Sequence, residues 1–128
     1  TIHGDGNSSR DWLFVEDTCR ALDKILHVDR KKVIGETINL GTGSDTCVLD
    51  IGQKVLEKLD KPESMLNYIK DRPGQVSCHI SSTDKSKELL DWQAEISLDT
   101  GLEKTIEFYK NNRQWWERFI WMKELWGS

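Results

Sequence analysis

Apolar residues change their period several times along this chain of 128 residues, and each change marks a predicted element. Thr1 to His3 and Trp12 to Val15 are short β-favouring pieces separated by Gly4-Asp5-Gly6-Asn7-Ser8-Ser9, a cluster of turn formers, so the chain opens as strand, turn, strand. From Asp17 onward Cys19, Ala21, Leu22, Ile25, Leu26 and Val28 recur at helical spacing. Asp17 or Thr18 can cap that helix, and its end is predicted near Arg30. Glu36 to Leu40 reads as a strand stopped by Gly41-Thr42-Gly43, and Val48-Leu49 opens a second helix that Lys61-Pro62 ends. Met65 to Lys70 is a predicted strand, Val76 to Ser81 a shorter extended piece, Asp84 to Leu90 a helix capped from Ser82 or Thr83, and Trp92 to Ile96 irregular.

The longest helical segment runs from Asp99 or Thr100 to about Trp126, where Trp115, Phe119, Met122 and Trp126 make a narrow apolar stripe. Such a stripe predicts core or subunit contact. Glu117 and Glu124 on the same segment disfavour an anionic membrane, and the formal charge of −4 disfavours nucleic acid. No repeat of 20 to 50 residues is present, which excludes a solenoid.

Composition narrows the class further. With 37% hydrophobic and 31% charged residues and no low-complexity run, one globular domain over residues 1–128 is expected, with disorder confined to the ends, residues 127–128 in particular. No apolar run is long enough to span a bilayer and no leader pattern is seen at the start, so the expected location is cytoplasmic, without membrane or nucleic-acid partners. Arg30-Lys31-Lys32, the one local basic run, reads as a solvated turn after a helix. Cys19, Cys47 and Cys78 are odd in number and widely spaced, which predicts reduced, mostly buried thiols and no structural metal. Cys78 and His79 are adjacent on an extended segment and so point to opposite faces, and His3 and His27 have no partner at ligand spacing.

Few residues are placed for chemistry. Gly41-Thr42-Gly43 lacks the third glycine of a dinucleotide loop, since Thr46 stands there, and is read as a turn. No Tyr-x-x-x-Lys pair occurs: Arg72 follows Tyr68 and Arg113 follows Tyr109 at that spacing. Two arginines are better set. Arg10 leaves a glycine-rich turn, and Pro73 pushes Arg72 out of helical geometry. A guanidinium can grip two diphosphate oxygens, or it can form a surface ion pair, here with Asp11 or Asp71.

Several motifs, in order, carry a family resemblance. Gly4-Asp5-Gly6 with Ser9-Arg10-Asp11-Trp12, Val15-Glu16-Asp17 and Cys19-Arg20-Ala21 is followed by Gly35-Glu36, Asn39-Leu40-Gly41 and Asp71-Arg72-Pro73-Gly74. Lys85, Leu90, Trp92, Gly101-Leu102, Thr105-Ile106, Tyr109, Asn112 and Trp115-Trp116 complete the set. The chain resembles the C-terminal half of the extended short-chain dehydrogenase/reductases, the NAD-dependent nucleotide-sugar epimerases and dehydratases, and most of all the dTDP-glucose 4,6-dehydratases. The family pattern departs after Gly74, where the dehydratases continue with His, Asp, two Arg and Tyr and this chain has Gln75-Val76-Ser77-Cys78-His79. At Val48 the dehydratases tend to carry Asn, and the sequence there is closer to the 4-epimerases.

The resemblance implies an α/β, helix-rich lobe of α+β character with short strands and a long C-terminal helix, lacking the Rossmann half. It implies that Arg10 and Arg72 bind the substrate diphosphate, each contact contributing roughly 1.5 to 3 kcal/mol. It also implies no catalytic residue and no cofactor or metal site in these residues, NAD belonging to a full-length parent. The expected ligand is a UDP- or dTDP-hexose, held weakly, and the expected state is a homo-oligomer formed through the surface that a full-length enzyme gives to its other half. The rival expectation is a free-standing binding or oligomerising module without nucleotide-sugar activity.

Overall fold

A computed structural model describes residues 1–121. In chain order the elements are β1 (Ile2–His3), β2 (Ser9–Arg10), α1 (Val15–His27), α2 (Arg30–Val33), β3 (Thr46–Cys47) and α3 (Val48–Lys58). A single 3-10 turn (Glu63–Met65) follows, then β4 (Tyr68–Ile69), β5 (Cys78–His79), α4 (Asp84–Leu90), α5 (Leu98–Asn111) and α6 (Arg113–Glu117). The strands make two small sheets: β1 lies parallel to β4, and β2 lies between β3, antiparallel to it, and β5, parallel to it. The mixed, helix-rich α/β architecture expected from the sequence is the one observed.

The core gathers where α1 meets α4. Ala21, Leu90 and Trp92 are buried together, with Leu13, Ile25, Val28, Leu40 and Leu89 packed around them. Burying the Trp92 side chain is the largest single apolar contribution here, and truncation of such a residue costs about 3–5 kcal/mol. One charged side chain is sealed in beside it. Asp17 has no exposed surface, and its carboxylate accepts from Ile96 N–H at 3.0 Å, Glu95 N–H at 3.2 Å and Arg20 Nη2 at 2.5 Å, while its carbonyl accepts from Trp92 Nε1 at 3.1 Å. Burial pushes Asp17 up, but the bonds from Arg20, Ile96 and Glu95 outweigh it and hold the carboxyl below its ordinary value. A buried carboxylate with this many donors is a structural staple: it fastens the first turn of α1 to the irregular segment leading into α5.

A second, smaller packing centre surrounds Ile2, which is buried against Gly6 and Gly52. A methyl group at Gly6 would stand 2.9 Å from both Ile2 and Leu49, so the close approach of the first turn to α3 depends on glycine. α3 and α5 are joined at the surface by Lys54–Asp99 at 3.0 Å and Lys58–Glu103 at 2.8 Å, pairs of a kind worth about 0–1 kcal/mol each.

Several expectations are corrected. The second strand is Ser9–Arg10 and not Trp12 to Val15, because β3 and β5 pair with those two residues, and Phe14 instead precedes α1 as its N-cap without a side-chain bond. Asp17 is consequently inside α1 and not its cap. Glu36 to Leu40 alternates inward at Ile38 and Leu40 as a strand would, yet no strand is assigned there because it lies beside no ladder. Of Met65 to Lys70 only Tyr68–Ile69 pairs, and Met65 closes the 3-10 turn. Arg30-Lys31-Lys32 is not a turn but belongs to α2, capped by the Asp29 side chain bonding Lys31 N–H at 3.0 Å.

The cysteines are free, but Cys19 and Cys78 are exposed and Cys47 half-buried, since α1 turns Cys19 outward and β5 lies at a sheet edge. The long C-terminal helix breaks at Asn112, whose Nδ2 donates to the Phe108 carbonyl at 2.8 Å, and Trp116 Nε1 donates back to the Tyr109 carbonyl at 2.8 Å. Trp115 is 50% exposed and Phe119 38% exposed, so this part of the stripe is not core; the two rings stack edge to face instead. Met122, Trp126 and residues 127–128 lie outside the described residues.

Candidate functional site

The three-stranded sheet sorts its side chains by register. Ser9 is paired with Cys47 and Cys78, and Arg10 with Thr46 and His79. Paired residues share a face and successive residues alternate, so one face carries Cys47, Ser9 and Cys78 and the other Thr46, Arg10 and His79. Asp45 serves the first face: it accepts from Cys78 Sγ at 3.4 Å, and hydrogen bonds from Ser9 and Cys78 hold its carboxyl below the usual value. Cys78 and His79 thus diverge, as their adjacency predicts, and among the described residues no cluster of His, Cys, Asp and Glu is arranged to hold a metal ion.

Arg72 lies in the loop between β4 and β5. Gln75 N–H donates to the Arg72 carbonyl at 3.2 Å with Pro73 and Gly74 between them, and Gly74 has φ +73°, the pattern of a type II turn that requires a residue tolerant of positive φ. Asp71 holds the turn's entrance by accepting from Arg72 N–H at 2.9 Å, and it lies so close to Gly4 that a methyl group there would stand 3.0 Å from its carboxyl carbon. Gly4 N–H in turn donates to the Ile69 carbonyl at 2.9 Å. The two sequence motifs, about sixty residues apart, therefore meet as adjacent turns.

Neither arginine makes the surface ion pair that was the alternative. Asp71 is engaged with backbone, and Asp11 accepts from Thr42 N–H at 2.8 Å, Thr42 Oγ1 at 2.7 Å, Gly43 N–H at 3.1 Å and Ser81 N–H at 3.3 Å. Burial pushes the Asp11 carboxyl up, and these bonds more than offset it, leaving the group below its ordinary value. Gly41 sits under this knot: a methyl group there would collide with Asp11 Oδ2 and stand 2.5 Å from Ser81 Cβ. Among the described residues, the arginines paired with carboxylates are Arg20 and Arg113. Arg10 is half-buried with Nη1 donating to the Ser9 carbonyl at 2.5 Å, and Arg72 is exposed.

On the arginine face His79 is exposed, and Thr46 and Arg10 are half-buried. A cleft of about 250 Å³ shares Thr46 with it and is walled by Trp12, Thr42 and Ile96, and Trp12 Nε1 donates to the Thr46 carbonyl at 3.0 Å. A larger cleft, about 440 Å³, lies away from it between Phe14, Val15, Lys104 and Phe108. The Gly41–Gly43 turn is no dinucleotide cradle, because the N–H groups of Thr42 and Gly43 that would face a pyrophosphate are bonded to Asp11. Sequence reasoning missed the position of His79 beside Arg10 and the roles of Asp11 and Asp17 as staples; register and tertiary hydrogen bonds between distant segments leave no local pattern to find.

Comparison with known proteins identifies relatives of the chain. A family model described as GDP-mannose 4,6 dehydratase matches residues 1–105. The dTDP-glucose 4,6-dehydratase of Escherichia coli is 36% identical over 130 residues, covering 93% of this chain and 35% of the enzyme. Among solved structures, DesIV, a dTDP-glucose 4,6-dehydratase from Streptomyces venezuelae with NAD bound, superposes with a TM-score of 0.82 at 27% identity over 91% of this chain and 35% of that one. The UDP-glucose 4-epimerase of Thermotoga maritima, solved with UDP-glucose, gives 0.76 at 30% identity over 86% and 35%. The chain belongs to this family of extended short-chain dehydrogenase/reductases, the NAD-dependent nucleotide-sugar dehydratases and epimerases, and corresponds to its C-terminal part. It spans about a third of the length of these relatives.

Proposed function

We propose that this chain is the nucleotide-sugar-binding lobe of such a dehydratase or epimerase, with Arg10 and Arg72 gripping the diphosphate. The observation that carries the reading is the half-buried Arg10, which stands on a strand face without a carboxylate partner among the described residues while Asp11, beside it in sequence, is fully engaged elsewhere. A guanidinium kept free of acids is available to an anionic ligand, and UDP-glucose bound to the Thermotoga epimerase is an anion of this class. These residues supply binding and orientation only. The Gly41–Gly43 turn does not fit NAD, so the cofactor and the chemistry belong to residues outside this chain, and the chain by itself is expected to be inactive. A cytoplasmic location goes with this reading, and the free thiols suit a reducing compartment. The test is thermal denaturation with dTDP-glucose and UDP-glucose at millimolar concentration. A ligand-dependent rise in Tm that Arg10→Ala or Arg72→Ala removes supports the reading; no rise, or a rise that survives both substitutions, overturns it.

A specific observation favours a second role, self-association. On the outward side of α1, Val15, Leu22 and Leu26 are 63%, 52% and 79% exposed, and with exposed Cys19 they recur four, three and four residues apart. Two copies of this stripe laid antiparallel would set Val15 against Leu26 and Cys19 against Leu22, a self-complementary seam of the kind that builds two-fold dimers. Light scattering at tens of micromolar should give at least a dimer mass that Leu22→Glu lowers to the monomer. A monomeric mass for the unsubstituted chain overturns this role.

A further inference from the structure

We propose that His79 is a third contact to the ligand's diphosphate, one whose protonation tightens nucleotide-sugar binding. The inference rests on the reading of Arg10 as a diphosphate ligand and adds to it a residue that the family pattern does not supply, since the dehydratases carry Tyr where this chain has His79.

The register makes the case. His79 on β5 is the direct cross-strand partner of Arg10 on β2, in parallel pairing, and Asp11 N–H donates to the His79 carbonyl at 3.0 Å. Adjacent strands are about 4.8 Å apart, so the two side chains leave the same face as neighbours. An anion large enough to engage the guanidinium with two oxygens is therefore within reach of the imidazole. His79 is exposed, so a ligand can reach it.

Among the described residues the surrounding carboxylates are all engaged elsewhere. On β3 the residue flanking Arg10 is the neutral Thr46, and Asp45 beside it serves the opposite face, bonded to Cys78. Asp11 on β2 is engaged with Thr42, Gly43 and Ser81. In the loop before β5, Asp71 is engaged with the Arg72 backbone. A bound diphosphate, with two negative charges beside His79, favours the imidazolium form in the complex. By linkage, binding must then strengthen as pH falls through the histidine range.

The experiment is isothermal titration of the full chain with dTDP-glucose at pH 5.5 and pH 8.0. The diphosphate diester of a nucleotide sugar keeps both charges over this range, so any change in affinity reports the protein. The expected result is about fivefold tighter binding at pH 5.5 than at pH 8.0. His79→Gln, which can still donate a hydrogen bond but cannot ionise, should bind with nearly equal affinity at the two pH values. The controls His3→Gln and His27→Gln should keep the dependence. Binding that is independent of pH in the unsubstituted chain, or a dependence that survives in His79→Gln, overturns the inference and leaves Arg10 as a ligand. Absence of binding at both pH values overturns the inference together with the reading beneath it.

Discussion

The two acids that follow the first turn, Asp11 and Asp17, and the two arginines, Arg10 on β2 and Arg72 in the loop before β5, have opposite fates. Each carboxylate is saturated by donors from distant parts of the chain, whereas each guanidinium lacks any acidic partner among the described residues. The acids spend their charge on holding backbone in place; the arginines keep theirs for something outside the chain. In a lobe of this size, charged residues are therefore separable by partner into those that determine stability and those that determine binding, and substitution should separate them in the same way.

The contrast breaks most sharply at the core. Asp17→Ala leaves the N–H groups of Glu95 and Ile96 without acceptors and is expected to lower stability by about 3–4 kcal/mol, with Trp92→Ala close behind or equal, as read by thermal or urea denaturation. Gly41→Ala should cost about 1–3 kcal/mol by driving a methyl group into Asp11 and Ser81. Acid sharpens the comparison further. The carboxyls of Asp17 and Asp11 are lowered in the folded chain, so their contribution is complete above the ordinary carboxylate value near 3.9 and is lost as pH falls through the depressed folded values. Urea midpoints should accordingly drop below about pH 4, and drop less in Asp17→Asn. Arg10→Ala and Arg72→Ala are expected to change stability by no more than about 0.5 kcal/mol while weakening nucleotide-sugar binding about tenfold or more. A large loss of stability in Arg10→Ala would erase the distinction between the two groups.

Much of the helical framework was legible because its signals are local. Helix α4 lies where periodicity sets it, Asp84 to Leu90, and α3 begins at Val48 as the apolar spacing and the later Lys61-Pro62 stop require. The strands were misplaced for a physical reason. Trp12 to Val15 has the better β-forming side chains, but pairing is decided by what lies alongside, and Ser9 and Arg10 are the residues that β3 and β5 reach. Glu36 to Leu40 shows the converse, a strand pattern with no neighbouring strand. At the candidate site the arginines could be named from Gly6 to Arg10 and from Pro73, and the resemblance supplied their role. His79 could not, because a cross-strand neighbour nearly seventy residues away depends on register, which the sequence does not print.

The placement of β2 also governs how the chain can fold. Its neighbours on either side, β3 and β5, come from residues 46–47 and 78–79, and β1 waits for residues 68–69, so none of these ladders can close while the first third of the chain stands alone. Bringing such distant segments together costs loop entropy before any pairing is gained, which slows folding. During synthesis the Arg10 motif can pair with β3 once residues 46–47 have emerged, but its ladder with β5 must wait for the residues near His79. The binding face is thus complete only once two distant segments have joined it, and a polypeptide ending before residue 78 would carry Arg10 with β5 missing from its side.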